Sequence, residues 1–134
     1  MVVNGQPLPR RLLAVIRGLF PRLRGKRRYL PGGPRCLRGE FLLYDLPTVV
    51  RETASVAQAV RAGDEFFTGD PAAPVDPARL VCIGDSGLDS PVCLEFREGV
   101  EEPRVIWLDD HGHWVQLAAD LRGFLRAFWL RGYA

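Results

Sequence analysis

The sequence predicts an α+β fold: a twisted, mainly antiparallel sheet of about five strands with helices packed on it. Three observations carry that expectation. Apolar residues recur at helical spacing in residues 9–20, 46–61 and 121–129. Between residues 80 and 117 the period changes to two, in four short β-rich runs. The connections between those runs are short and polar, which favours antiparallel neighbours. Segregated helices and strands of this kind belong to the α+β class.

Taken in order, residues 4–9 (NGQPLP) read as a turn leading into Pro9, which suits the first turn of a helix. In residues 9–20, Leu12, Leu13, Val15, Ile16, Leu19 and Phe20 fall on one arc at about 100° per residue. Arg10, Arg11 and Arg17 fall outside it, and Pro21 stops the helix. Residues 21–39 hold three Pro, four Gly and a dense basic run, and read as an irregular loop. Residues 40–44 (EFLLY) are a short strand candidate. A second helix starts at Leu46-Pro47-Thr48 and runs to about Arg61, with Val49, Val56 and Val60 on one face. Residues 63–77 read as a loop with Phe66 and Phe67 tucked inward. The four β-runs follow at 80–83, 92–97, 104–108 and 114–117, and Asp120 has the chemistry to cap a last helix. Leu121, Phe124, Leu125, Phe128 and Trp129 share one face of that helix.

The 134 residues suit one domain, with a basic helix and loop over 1–39 and an α/β body over 40–134. Hydrophobic residues are 47% and charged residues 25%, which excludes a wholly disordered chain or a fibrous protein. The net charge of +2 conceals an asymmetry. Residues 1–40 carry ten Lys or Arg and one acid, Glu40, giving +9; residues 41–134 carry eight Arg and fifteen acids, giving −7. No apolar span of membrane length exists. Residues 12–20 lack the flanks of a secretory signal. Three cysteines, Cys36, Cys82 and Cys93, read as reduced, mostly buried thiols of a cytoplasmic protein. A Cys82–Cys93 pairing across neighbouring strands stays open.

Three constellations could carry chemistry. Gly84-Asp85-Ser86-Gly87 is a string in which a serine hydrolase could place a nucleophile, and Asp110-His111-Gly112-His113 supplies an Asp-x-x-His. Both histidines lie downstream of Ser86, and the blocks that build an oxyanion hole are missing; a Gly- and Asp-rich turn explains the string. His111, His113, Asp109 and Asp110 could suggest a metal, but neither close Cys pairs nor helical His spacing occurs. No catalytic residue, metal or cofactor is therefore assigned. The basic stretch from Arg10 to Arg38 could neutralise phosphates of a nucleic acid or an anionic membrane surface. No nucleic-acid motif accompanies it.

Residues 81–89 (VCIGDSGLD), 92–96 (VCLEF), 102–108 (EPRVIWL), 114–118 (WVQLA) and 120–125 (DLRGFL), in that order, resemble the C-terminal half of the SUKH superfamily. That domain is shared by fungal cell-wall regulators of the Smi/Knr type and many bacterial immunity proteins. Residues 4–9 and 69–77 also look like one bacterial branch. Residues 21–39 depart from the pattern, with basic residues in place of an acid- and aromatic-containing stretch. The resemblance implies a non-enzymatic α+β binding domain that neutralises a cognate toxin. Many nuclease toxins are basic, so an acidic face would speed encounter and raise specificity. The candidate contacts are the turn acids Asp85, Asp89, Glu98, Glu101, Glu102, Asp109 and Asp110.

Overall fold

The computed structural model describes residues 1–19, 28–29, 32–37, 41–87 and 90–128. Their architecture is α+β, as the hydrophobic periods require. An N-terminal hairpin, β1 (Val2–Val3) and β2 (Gln6–Pro7), is followed by helix α1 (Arg10–Leu19). A six-stranded sheet then takes β3 (Arg28–Tyr29), β4 (Leu42–Leu43), β5 (Leu80–Asp85), β6 (Pro91–Glu95), β7 (Arg104–Leu108) and β8 (Trp114–Ala118) in sequence order. Every adjacent pair is antiparallel. Helices α2 (Leu46–Arg61) and α3 (Glu65–Thr68) lie between β4 and β5, and α4 (Leu121–Arg126) closes the order.

The structure corrects three short-range expectations. Residues 4–9 are more than a turn: Asn4 and Gly5 both take positive φ, the conformation of a tight two-residue hairpin loop. The Asn4 amide then donates to the Pro77 and Leu80 carbonyls, tying the hairpin to the start of β5. The expected loop at 63–77 contains α3, capped by Asp64, whose carboxylate accepts from the Phe66 amide. Within the expected loop at 21–39, residues 28–29 pair with β4 and add the sixth strand, and Arg35–Leu37 make one turn of 3-10 helix. The remainder of 20–27, 30–31 and 38–40 lies outside the described residues, as does Trp129.

Helix α2 illustrates how local chemistry and burial agree. Asp45 caps it by accepting from the Thr48 amide, Pro47 occupies the first turn, and Val49, Thr53, Val56, Ala57 and Val60 turn inward. Each fully buried valine contributes roughly 1.5–3 kcal/mol through its apolar surface. The helix packs along β5. On that side β4 is short, so among the described residues no strand lies beside the start of β5; Thr53 fills the gap, its hydroxyl accepting from the Cys82 amide at 2.9 Å. A register shift between Cys82 and Gly84 leaves Ile83 as the extra residue of β5. Its carbonyl is taken by the Tyr44 amide.

Strands β5 and β6 are buried along almost their whole length, which requires cover on both faces. On one face Gly84 accepts Phe41 so closely that any Cβ there would collide with the Phe41 ring and the Leu42 carbonyl. Phe41 meets Phe124 edge to face at 5.3 Å, and Phe128 joins both rings. Thus α4 is seated on the sheet through an aromatic trio, and α1 packs on α4. On the opposite face the Trp114 indole donates to the Phe67 carbonyl and covers Gly69, fixing α3. Leu12, Val15 and Ile16 of α1 belong to the same buried cluster as the sheet.

Candidate partner-binding site

An antiparallel meander sends successive turns to opposite ends, and this sorts the seven candidate acids. The β5–β6 turn and the β7–β8 turn share one end; the β6–β7 turn lies at the other. Asp85, Asp109 and Asp110 therefore fall together, while Glu98, Glu101 and Glu102 sit about 17 Å away, the length of a five-residue strand. Asp89 lies outside the described residues. The six described candidates therefore fall into two groups.

The first end gathers these acids and also receives the β3–β4 connection, in which Arg35 is exposed. Helix α3 joins it, because the Phe66 carbonyl lies against Gly112 and the Phe67 carbonyl binds Trp114. That adds Asp64, Glu65 and Asp70 to Asp85, Asp109 and Asp110. The acid-bearing segments themselves, residues 62–74, 84–91 and 108–116 of the sequence, contain no Lys or Arg. Asp64, Glu65, Asp70 and Asp110 are exposed.

Two of these acids also hold the backbone in place. Asp109 accepts from the amides of both His111 and His113 at 2.9 Å, shaping the β7–β8 turn. Asp85 accepts from the Gly87 amide and, at 2.6 Å, from the Tyr44 hydroxyl. Burial, then the neighbouring Cys82 and the hydrogen bond to Asp85, push the Tyr44 phenol well above its ordinary range. Tyr44 thus stays a donor and anchors Asp85 to the strand next door.

The second end is mixed. Glu95 is buried, and its carboxylate receives Arg104 at 2.7 Å and Arg97 at 3.2 Å. Arg104 also donates to Gln116. Arg79 pairs with Asp76 at 3.6 Å. Glu98, Glu101 and Glu102 are exposed on the turn beside this group. Three arginines therefore offset much of the negative charge there.

Ser86 accepts a hydrogen bond from the Trp107 indole at 2.7 Å, which orients that ring on the sheet. His113 Nδ1 lies 3.9 Å from Asp109, and both histidines are exposed. Among the described residues no group of three or more His, Cys, Asp or Glu side chains is placed to hold a metal ion. Among the described residues no helix is long and apolar enough to cross a membrane. Of the basic stretch from Arg10 to Arg38, Arg10 and Arg17 are exposed on α1, opposite its buried face, and Arg35 is exposed in the 3-10 turn. Lys26 and Arg38 lie outside the described residues. Cys82 and Cys93 are buried as expected, but Cys36 is exposed; all three are free thiols.

Sequence reasoning missed Tyr44 and the α3 acids. The alternation of hairpin turns was available as a signal for separating the two acidic groups. The approach of α3 to the β7–β8 turn depends on Trp114 reaching a carbonyl 47 positions away and had no local signal. The chain matches no family model, no curated protein and no solved structure.

Proposed function

We propose that this chain is a non-enzymatic protein-binding domain of the immunity type, which captures a basic toxin domain in the cytoplasm and blocks it. One observation carries the reading: six carboxylates gather at one end of a rigid sheet, on segments devoid of Lys and Arg. Such a face attracts a cationic partner, raises the encounter rate and penalises acidic competitors. The SUKH-like order of the β5–α4 region supports the same reading. Asp85 and Asp109 are held by hydrogen bonds within the fold, so less side-chain freedom is lost when a partner arrives.

The test is a growth-rescue assay with any toxin gene that neighbours the coding sequence. Co-expression should restore growth, and Glu65→Lys with Asp110→Lys should abolish rescue while the protein remains folded. Absence of both binding and protection by the unaltered chain would overturn the proposal. The competing reading, a nucleic-acid or anionic-membrane binder acting through the basic stretch, rests on exposed Arg10 and Arg17. Binding of duplex DNA or anionic vesicles that is lost in Arg10→Glu/Arg17→Glu would favour it. Removing residues 1–38 is unsuitable as a test, because α1 supplies part of the core.

A further inference from the structure

The toxin-binding reading makes no use of the two thiols at the centre of the sheet. Cys82 and Cys93 are direct partners across β5 and β6, and each is almost wholly buried. The hydrogen-bond phase of this strand pair is fixed twice over. The Phe96 amide donates to the Arg79 carbonyl, so the 79/96 pair is hydrogen-bonded, the 80/95 pair is not, and the 82/93 pair is not. Independently, the Cys82 amide points away from β6, to Thr53 on α2. Partners in such a pair have Cα atoms about 4.5 Å apart, inside the span of about 4.4–6.8 Å that a disulfide bridges. Both side chains leave the sheet on the same face, since directly opposed residues always do.

We propose that Cys82 and Cys93 are a reversible redox-modification site, closing to a cross-strand disulfide with a small-molecule disulfide as oxidant. One thiolate attacks a sulfur of the small disulfide and releases one small thiolate, leaving a mixed disulfide on the protein. The second protein thiolate then attacks the protein sulfur of that mixed bond and expels the second small thiol. Two protein thiols are oxidised, and one small disulfide is reduced to two thiols.

The geometry also dictates the character of the bond. Side chains of opposed residues in a sheet keep their Cβ atoms about 4.5–5.5 Å apart, whereas a disulfide holds them at about 3.5–4.5 Å. With the Cα atoms already at the short end of the disulfide span, closure must turn the two Cβ atoms toward each other against a packed interior. The strain makes the bond easy to reduce, the property of regulatory rather than structural disulfides. Burial pushes the Cys93 thiol up, and the neighbouring Cys82 adds to this. Exchange therefore proceeds through opening of the β5–β6 pair or during folding, not on the closed surface.

The experiment uses the full chain carrying Cys36→Ser, which removes only the exposed thiol. The protein is refolded from urea in buffers of increasing oxidised-to-reduced glutathione ratio, quenched with an alkylating agent in denaturant, and weighed intact. The expected product is a native monomer that has lost two hydrogens and takes no alkyl group, reverting to two alkylated thiols on addition of dithiothreitol. Near-ultraviolet circular dichroism should show native packing in both forms. The companion variant Cys36→Ser/Cys93→Ser should accumulate only a glutathione adduct. Two alkylatable thiols in the folded fraction at every buffer ratio would overturn the proposal. So would an internal bond confined to molecules that have lost native packing.

Discussion

The two ends of the sheet are built from the same parts, tight turns between short antiparallel strands, yet they handle charge in opposite ways. At the β6–β7 end the buried carboxylate of Glu95 is met by Arg97 and Arg104, and Asp76 by Arg79. At the β5–β6/β7–β8 end the acids are answered by backbone amides and a phenol: Asp109 by His111 and His113, Asp85 by Gly87 and Tyr44. Amides and hydroxyls satisfy a carboxylate's hydrogen bonds without cancelling its charge. One end has resolved its electrostatics internally; the other has kept its negative field while fixing its shape.

The largest expected effect lies in the core that both ends share. Phe41→Ala removes a fully buried ring from the aromatic trio and should cost about 3–5 kcal/mol in urea unfolding. If the acidic end alone loosened, by hydrogen exchange, the two ends would not rest on one core. Next, Thr53→Val leaves the Cys82 amide buried without an acceptor and should cost about 1–3 kcal/mol. A neutral result would mean that α2 shifts to let water in.

Alkaline titration compares the acidic end with the centre of the sheet. The Cys93 thiol and the Tyr44 phenol are both raised in the folded protein above their ordinary values of 9.0 and 10.0. Below pH 9 each is protonated in both folded and unfolded chains, so their contribution is fully present. Above those values the unfolded chain releases protons that the folded one retains, and stability falls as pH rises. For the thiol the limiting slope is about 1.4 kcal/mol per pH unit. Urea midpoints should be level from neutral pH to about 9 and decline beyond it. Tyr44→Phe should soften the steeper part above about 10.

The smallest effects are the most discriminating. Glu95→Gln leaves two partly exposed arginines facing an uncharged amide and should cost about 1–2 kcal/mol. Asp110→Asn, at the exposed acidic end, should change stability by less than about 0.5 kcal/mol. It should nevertheless slow association with a basic partner in stopped-flow measurements, most strongly at low salt. A stability loss at Asp110 equal to that at Glu95 would erase the distinction between the ends.

Much of this architecture was legible in the residues. The bounds of α2 and β7 follow from period, capping and turn chemistry, because those signals are local. The two-residue strands β1, β2 and β3 and the one-turn helix α3 are too short to display a period. Of the candidate site, the acidic turns were visible, but their grouping was not. Asp85 and Asp110 share one end only because β5 to β8 form an unbroken meander, and Tyr44 reaches Asp85 across 41 positions. Thr53 reads as one more polar residue on a helix until the gap beside β5 is known.

The meander also sets an order of assembly. Strands β5 to β8 are joined by turns that close locally, whereas β4 must find β5 across the whole of α2, α3 and the segment that follows. Loop-closure entropy makes the short connections the cheaper first step, so the β5–β8 ribbon should nucleate folding and β4 should dock late. Conservative core substitutions in β6 and β7 should slow refolding, whereas those in β4 should mainly hasten unfolding. On that account the scaffold of both hairpin turns at the acidic end is laid down before the N-terminal strands arrive.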